Sequence, residues 1–101
     1  MSDFGSITKF EFEGFEWDDE KALSNRRKHR INFRDAIQIF KGPVFAWSED
    51  HETEDRWIAI GAQKEGDLAI VFVERGAACR VISARPATRK ERGWYYANLN
   101  R

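Results

Sequence analysis

Four apolar runs follow one another through the second half of the chain: Val44 to Trp47, Trp57 to Gln63, Leu68 to Glu74 and Cys79 to Arg85. The breaks between them are a charged stretch, Glu65-Gly66-Asp67 and Gly76. Breaks this short join antiparallel neighbours, because a parallel pair needs a crossover of roughly a dozen or more residues. An antiparallel sheet is therefore the frame to which everything else must be fitted. With 101 residues the chain has room for one domain, spanning 1–101, since a second core could not be filled. Hydrophobic residues at 42% beside charged residues at 34% exclude a disordered chain.

The first half supplies helices. Phe10, Phe12, Phe15 and Trp17 alternate with glutamates and slip register at Gly14, which predicts a first strand with one wet face and a bulge. Asp18-Asp19-Glu20 and Arg26-Arg27-Lys28-His29 put acids at the start and bases at the end of a helix over Asp19 to Lys28, as the helix dipole favours. Asn32 caps a second helix carrying Phe33, Ala36, Ile37 and Phe40, stopped by Gly42-Pro43. Pro86 ends the last strand, and Thr88 to Glu91 form a capping box opening a terminal helix with Trp94 and Tyr95. The expected fold is α+β: an antiparallel sheet of four to five strands, two N-terminal helices and one C-terminal helix, with residues 1–14 an N-terminal extension or the first strand.

Cys79, the single cysteine, falls in an apolar run and reads as an inert buried thiol. No stretch approaches the roughly 20 apolar residues of a membrane span, and Met1 to Lys9 lacks the pattern of a signal peptide, so no membrane partner and a cytoplasmic location are expected. The formal net charge is +0, but the charges are segregated: Arg26, Arg27, Lys28, Arg30 and Arg34 form one basic segment, Arg80 to Arg101 another, and Glu49 to Asp55 an acidic loop. Such segments build a phosphate-binding face or simply a solvated surface.

Neither histidine, His29 or His51, has partners at metal-ligand spacing, and there is no glycine-rich phosphate loop or serine elbow. No metal and no cofactor are expected. What remains is arginine on strands: Arg56, Arg75, Arg80 and Arg85. A guanidinium fork on a rigid sheet grips two phosphate oxygens and stabilises added negative charge. RNA carries its own nucleophile in the 2′-hydroxyl, so cutting it needs a base, an acid and positive charge at phosphorus. His29 and Glu74 suit the proton transfers and Arg56 and Arg85 the charge, making these four the candidate catalytic set. Lys28, Arg75, Arg80 and Arg89 are the candidate substrate contacts. Each has a plainer use: His29 capping a helix end, Glu74 and Arg75 a solvated turn pair, Arg85 an ion pair with the acidic loop.

These residues also carry a resemblance. The chain resembles the BrnT family, toxins of type II toxin–antitoxin systems, through Phe15-Glu16-Trp17-Asp18, Lys21, Ser24-Asn25, Lys28-His29, Phe33, Asp35-Ala36, Phe40, Glu49-Asp50, Arg56, Ile60-Gly61, Val73-Glu74-Arg75-Gly76, Arg80 to Arg85, Ala87-Thr88-Arg89 and Glu91-Arg92. Each motif is weak alone, and their order and spacing are specific. The resemblance implies a RelE-like fold, metal-independent RNA cleavage that arrests growth, and a hetero-oligomer with a BrnA-like antitoxin. Two positions depart from the pattern: Arg30 stands where glycine usually follows Lys-His, and Pro86 where a basic residue is common. Arg30 then either adopts a left-handed conformation at a cost of roughly 1 kcal/mol or sits in a different turn. Pro86 holds Arg85 extended. The alternative function is a non-catalytic RNA- or protein-binding module using the same arginines, and a structural domain with its arginines tied in ion pairs is a third.

Overall fold

A computed structural model describes residues 4–99. The chain is α+β, with six strands and three helices in the order β1 (Ser6–Thr8), β2 (Gly14–Glu16), α1 (Asp19–His29), α2 (Phe33–Ala36), a 3-10 segment (Ile37–Lys41), β3 (Val44–Glu49), β4 (Arg56–Gly61), β5 (Leu68–Arg75), β6 (Ala78–Pro86) and α3 (Arg89–Leu99). The four apolar runs form the antiparallel meander β3 to β6 that their short connections require. The sheet as a whole is mixed, in the order β1-β3-β4-β5-β6-β2, because β2 runs parallel to β6. The expectation of four to five antiparallel strands is corrected on both counts.

The correction comes from the alternating aromatic segment. Instead of one bulged strand, the chain makes the short β1 at one edge of the sheet and the short β2 at the other. Between them it crosses the sheet face, laying Phe10 and Phe12 edge-on against Phe40 and Phe72. An extended segment crossing a hydrophobic face buries every second side chain just as a half-buried strand does, so the period of two is the same. The second helix also differs, being a single turn that tightens into the 3-10 segment.

Buried clusters occupy both sheet faces. On one face, Phe33, Ala36, Ile39 and Phe40 cover Ala59, Ile70, Phe72, Cys79 and Val81. On the other, α3 places Tyr95 among Phe45, Ile58, Ile60 and Ala69. That helix packs against β1, β3 and β4. In β6 one extra residue, Ile82, interrupts the register, with Val71 opposite Ser83 and Phe72 opposite Val81. A bulge of this kind reverses the facing of every residue beyond it.

Asn32 caps as the sequence reads, and Asp18, there only one of the acids at the helix start, is a cap as well. Asp18 accepts from Glu20 N–H (2.8 Å) and Lys21 N–H (3.2 Å), and Asn32 from Arg34 N–H (2.8 Å). At the other end of α1, Arg30 has φ 59° and ψ 30°, the left-handed conformation that suits glycine. Its N–H still closes the helix on Arg26 O at 2.8 Å. Arg30→Gly is therefore expected to stabilise the protein by about 0.5 to 1 kcal/mol, read as a higher denaturation midpoint at unchanged slope. A lower midpoint would mean that glycine's greater freedom in the unfolded chain outweighs the relieved strain.

Candidate functional site

The contact face of α1 is polar. Lys21, Ser24, Asn25, Lys28 and His29 recur at intervals of three and four, a stripe that an ordinary amphipathic helix fills with apolar residues. This stripe faces β6. Strand β2 pairs with β6 only from Ala78 to Arg80, and beyond that point the buried Asn25 takes the place of a strand. Its Nδ2 donates to Ala84 O (2.9 Å) and its Oδ1 accepts from Ala84 N–H (3.1 Å), while Nδ2 also donates to Ile31 O (3.2 Å). The clamp leaves an open cleft of about 400 Å³ between helix and strand, lined by Lys21, Ser24, Lys28, His29, Ser83 and Arg85 among others.

Arg85 is held at the rim of this cleft by a partner other than the acidic loop. Its Nη1 and Nη2 donate to the two carboxylate oxygens of Glu91 at 2.7 and 2.9 Å. Glu91 is also the last residue of the capping box: Thr88 N–H donates to it (2.9 Å) and its own N–H donates to Thr88 Oγ1 (3.1 Å). The hydrogen bonds from Arg85 hold the Glu91 carboxyl below the ordinary carboxylate range, against the opposing effect of burial. A lowered carboxyl contributes stability at neutral pH that is lost as the pH falls through its folded value, so the pair stays intact throughout the neutral range. The Arg85 side chain remains 31% exposed. Its Nε–H and one Nη2–H have no hydrogen-bond partner among the described residues.

Alternation along the strands decides which other arginines join Arg85. Ile58 and Ile60 point toward α3, so Arg56 lies on that same face, next to Glu49 in the register. Cys79 and Val81 point the opposite way, so Arg80 also lies on the α3 face, where Glu16 Oε2 accepts from it at 2.7 Å. Arg85 stands opposite Ala69 of the α3-side cluster. In a regular strand residues 80 and 85 would face opposite ways, and the bulge at Ile82 is what brings the two arginines to one side. Arg75 ends β5 on this face, 3.5 Å from Glu54. The Arg56 Nε is buried without a hydrogen-bond partner among the described residues, an incompletely satisfied donor on the face that also carries Arg75, Arg80 and Arg85.

Of the expected catalytic set, His29 and Arg85 therefore share the cleft with Lys28. Arg56 shares the sheet face with Arg85, together with the expected substrate contacts Arg75 and Arg80. Glu74 is not brought to them: it pairs with Cys79, exposed on the opposite face of the sheet. There burial, with the Glu74 and Glu16 charges adding, pushes the Cys79 thiol up to about 12, so it remains a protonated core thiol. Arg89 is exposed at the start of α3. Among the described residues no three His, Cys, Asp or Glu side chains converge where a metal ion could be held. No helix of the described residues is long and apolar enough to cross a membrane.

Sequence reasoning took Glu91 only as a cap and gave Asn25 no structural part. Glu91 lies six residues beyond Arg85 around a corner at Pro86, a separation with no fixed geometry. For Asn25 the signal was present, as a polar residue in the middle of the stripe where α1 meets the sheet. A family model described as a ribonuclease toxin, BrnT, of type II toxin–antitoxin systems matches residues 17–91, a span that contains the cleft, the arginine face and Glu91. No curated protein matches the chain.

Proposed function

Because the chain belongs to the BrnT family of ribonuclease toxins of type II toxin–antitoxin systems, we propose that it is a metal-independent endoribonuclease whose reaction takes place in the cleft between α1 and β6. The observation that carries this reading is the convergence of Lys28, His29 and Arg85 in that cleft. Neutral His29 takes the 2′-hydroxyl proton, and the 2′-oxygen attacks the adjacent phosphorus. Arg85 stabilises the charge of the phosphorane through its unengaged N–H groups. The bond from phosphorus to the 5′-oxygen breaks as the Lys28 ammonium gives that oxygen a proton. The products are a 2′,3′-cyclic phosphate and a 5′-hydroxyl. Arg56 and Arg80, on the neighbouring sheet face, hold flanking phosphates as point and fork contacts. Glu74 has no step in this scheme, and a RelE-like arrangement of sheet and helices is the fold expected of such a toxin.

The purified protein, free of its antitoxin, is expected to cleave single-stranded RNA in excess chelator and to leave cyclic-phosphate ends. Activity that appears only when magnesium is added, or none from folded protein, refutes the mechanism.

A type II toxin has an antitoxin protein as partner, and a BrnA-like antitoxin neutralises this one by covering the face that carries Arg56, Arg80 and Arg85. Competition with the substrate for one surface needs no conformational relay, and opposite charge speeds encounter. Arg56→Glu/Arg80→Glu, which leaves the Arg85–Glu91 pair intact, is expected to weaken antitoxin binding strongly at low salt and less at high salt. Equal affinities for wild type and double variant put the antitoxin on another surface.

A further inference from the structure

Asn25 and Glu91 are the buried polar side chains of the described residues, and they act on neighbouring positions of β6. Asn25 grips the backbone of Ala84, and Glu91 grips the guanidinium of Arg85. A capping box needs neither burial nor an arginine, because one carboxylate oxygen and one hydroxyl satisfy its two N–H groups. Burying a carboxylate is unfavourable unless it is fully paired. Here Oε1 serves both Thr88 N–H and Arg85, and Oε2 is given to Arg85 alone among the described residues. The backbone on both sides is fixed as well, by the β5 pairing of Arg85 and Pro86 and by the first turn of α3.

We propose that Glu91 is a positioning residue for RNA cleavage, whose carboxylate holds the Arg85 guanidinium at the cleft rim with its free edge turned to the substrate phosphate before RNA binds. The proposal rests on the ribonuclease reading above. An unrestrained arginine must be ordered during the reaction, whereas one clamped through two parallel hydrogen bonds is already ordered. The same carboxylate that starts α3 thus ties the placement of that helix to the placement of the charge donor.

The test is Glu91→Gln. Glutamine still accepts from Thr88 N–H and preserves the capping box, but its amide N–H₂ meets the donors of Arg85, so the two-point pairing is lost. Steady-state cleavage of one RNA is measured for wild type, Glu91→Gln, Arg85→Lys and the double variant. The expected result is a folded Glu91→Gln protein with KM within about threefold of wild type and kcat reduced by roughly 10²-fold. Adding Glu91→Gln to Arg85→Lys is expected to cause no further loss, since both act through one contact. A readout independent of activity is the NMR signal of the Arg85 guanidinium, expected to show hindered rotation in wild type and averaging in Glu91→Gln. A wild-type kcat in folded Glu91→Gln, or hindered rotation retained there, overturns the positioning role alone. Wild-type protein that cleaves no RNA overturns the ribonuclease reading, and the positioning role with it.

Discussion

Arg85→Lys is expected to abolish growth arrest and to lower RNA cleavage by about 10²- to 10³-fold, the usual effect of losing one positioned donor to a developing charge. The change keeps the positive charge and the ion pair with Glu91 but replaces a planar fork by a single ammonium, which cannot hold two carboxylate oxygens and still offer an edge to phosphate. Arg85→Ala is the less informative variant. It leaves the Glu91 carboxylate, whose side chain is 9% exposed, without its main partner, and so removes stability as well as activity. Arg85→Ala combined with Glu91→Gln restores the folding control. Undiminished growth arrest from folded Arg85→Lys protein would show that the guanidinium serves only the capping corner.

Asn25→Ala is expected to lower stability by about 3 to 4 kcal/mol and to abolish cleavage. The substitution removes three hydrogen bonds and strands the N–H and C=O of Ala84 and the C=O of Ile31. Each buried group left unsatisfied costs about 1 to 3 kcal/mol. Asn25 is the one buried residue of α1, whose stripe toward β6 is polar and which adds to it only the partly buried Ala22 against the core. Denaturant titration gives the stability change, and thermal unfolding should begin more than about 10 °C lower. A loss below about 1 kcal/mol would mean that water replaces the amide and that α1 is held by other contacts.

Local signals were legible wherever chemistry is carried by neighbours in sequence. The meander, the Asn32 cap and the Thr88–Glu91 box were all readable from adjacent residues. The sheet's outer strands were not, because the alternation of Phe10 to Trp17 is the same for a ladder strand and for a segment crossing the face. The site was legible as a set of residue types, arginines on strands and a histidine at a helix end, but not as a geometry. Alternation in β5 puts Glu74 on the far face, beside Cys79. The bulge at Ile82 turns Arg85 to the side of Arg80, and no residue of that run announces a bulge. The pairing of Arg85 with Glu91 depends on how α3 folds back, which packing of Tyr95 against the sheet decides.

The strands at the two margins of the sheet have a consequence for how the molecule comes into being during translation. Residues 6–16 are made before their partners, so Ser6–Thr8 must wait for β3 and Gly14–Glu16 for Ala78–Arg80. Such distant pairings form late, after the loops between them have closed. The acid that pairs with Arg85 arrives later still, on α3. A chain synthesised only through α1 thus carries Lys28 and His29 without the β6 wall that completes their cleft, and Arg85 is made before the carboxylate that pairs with it.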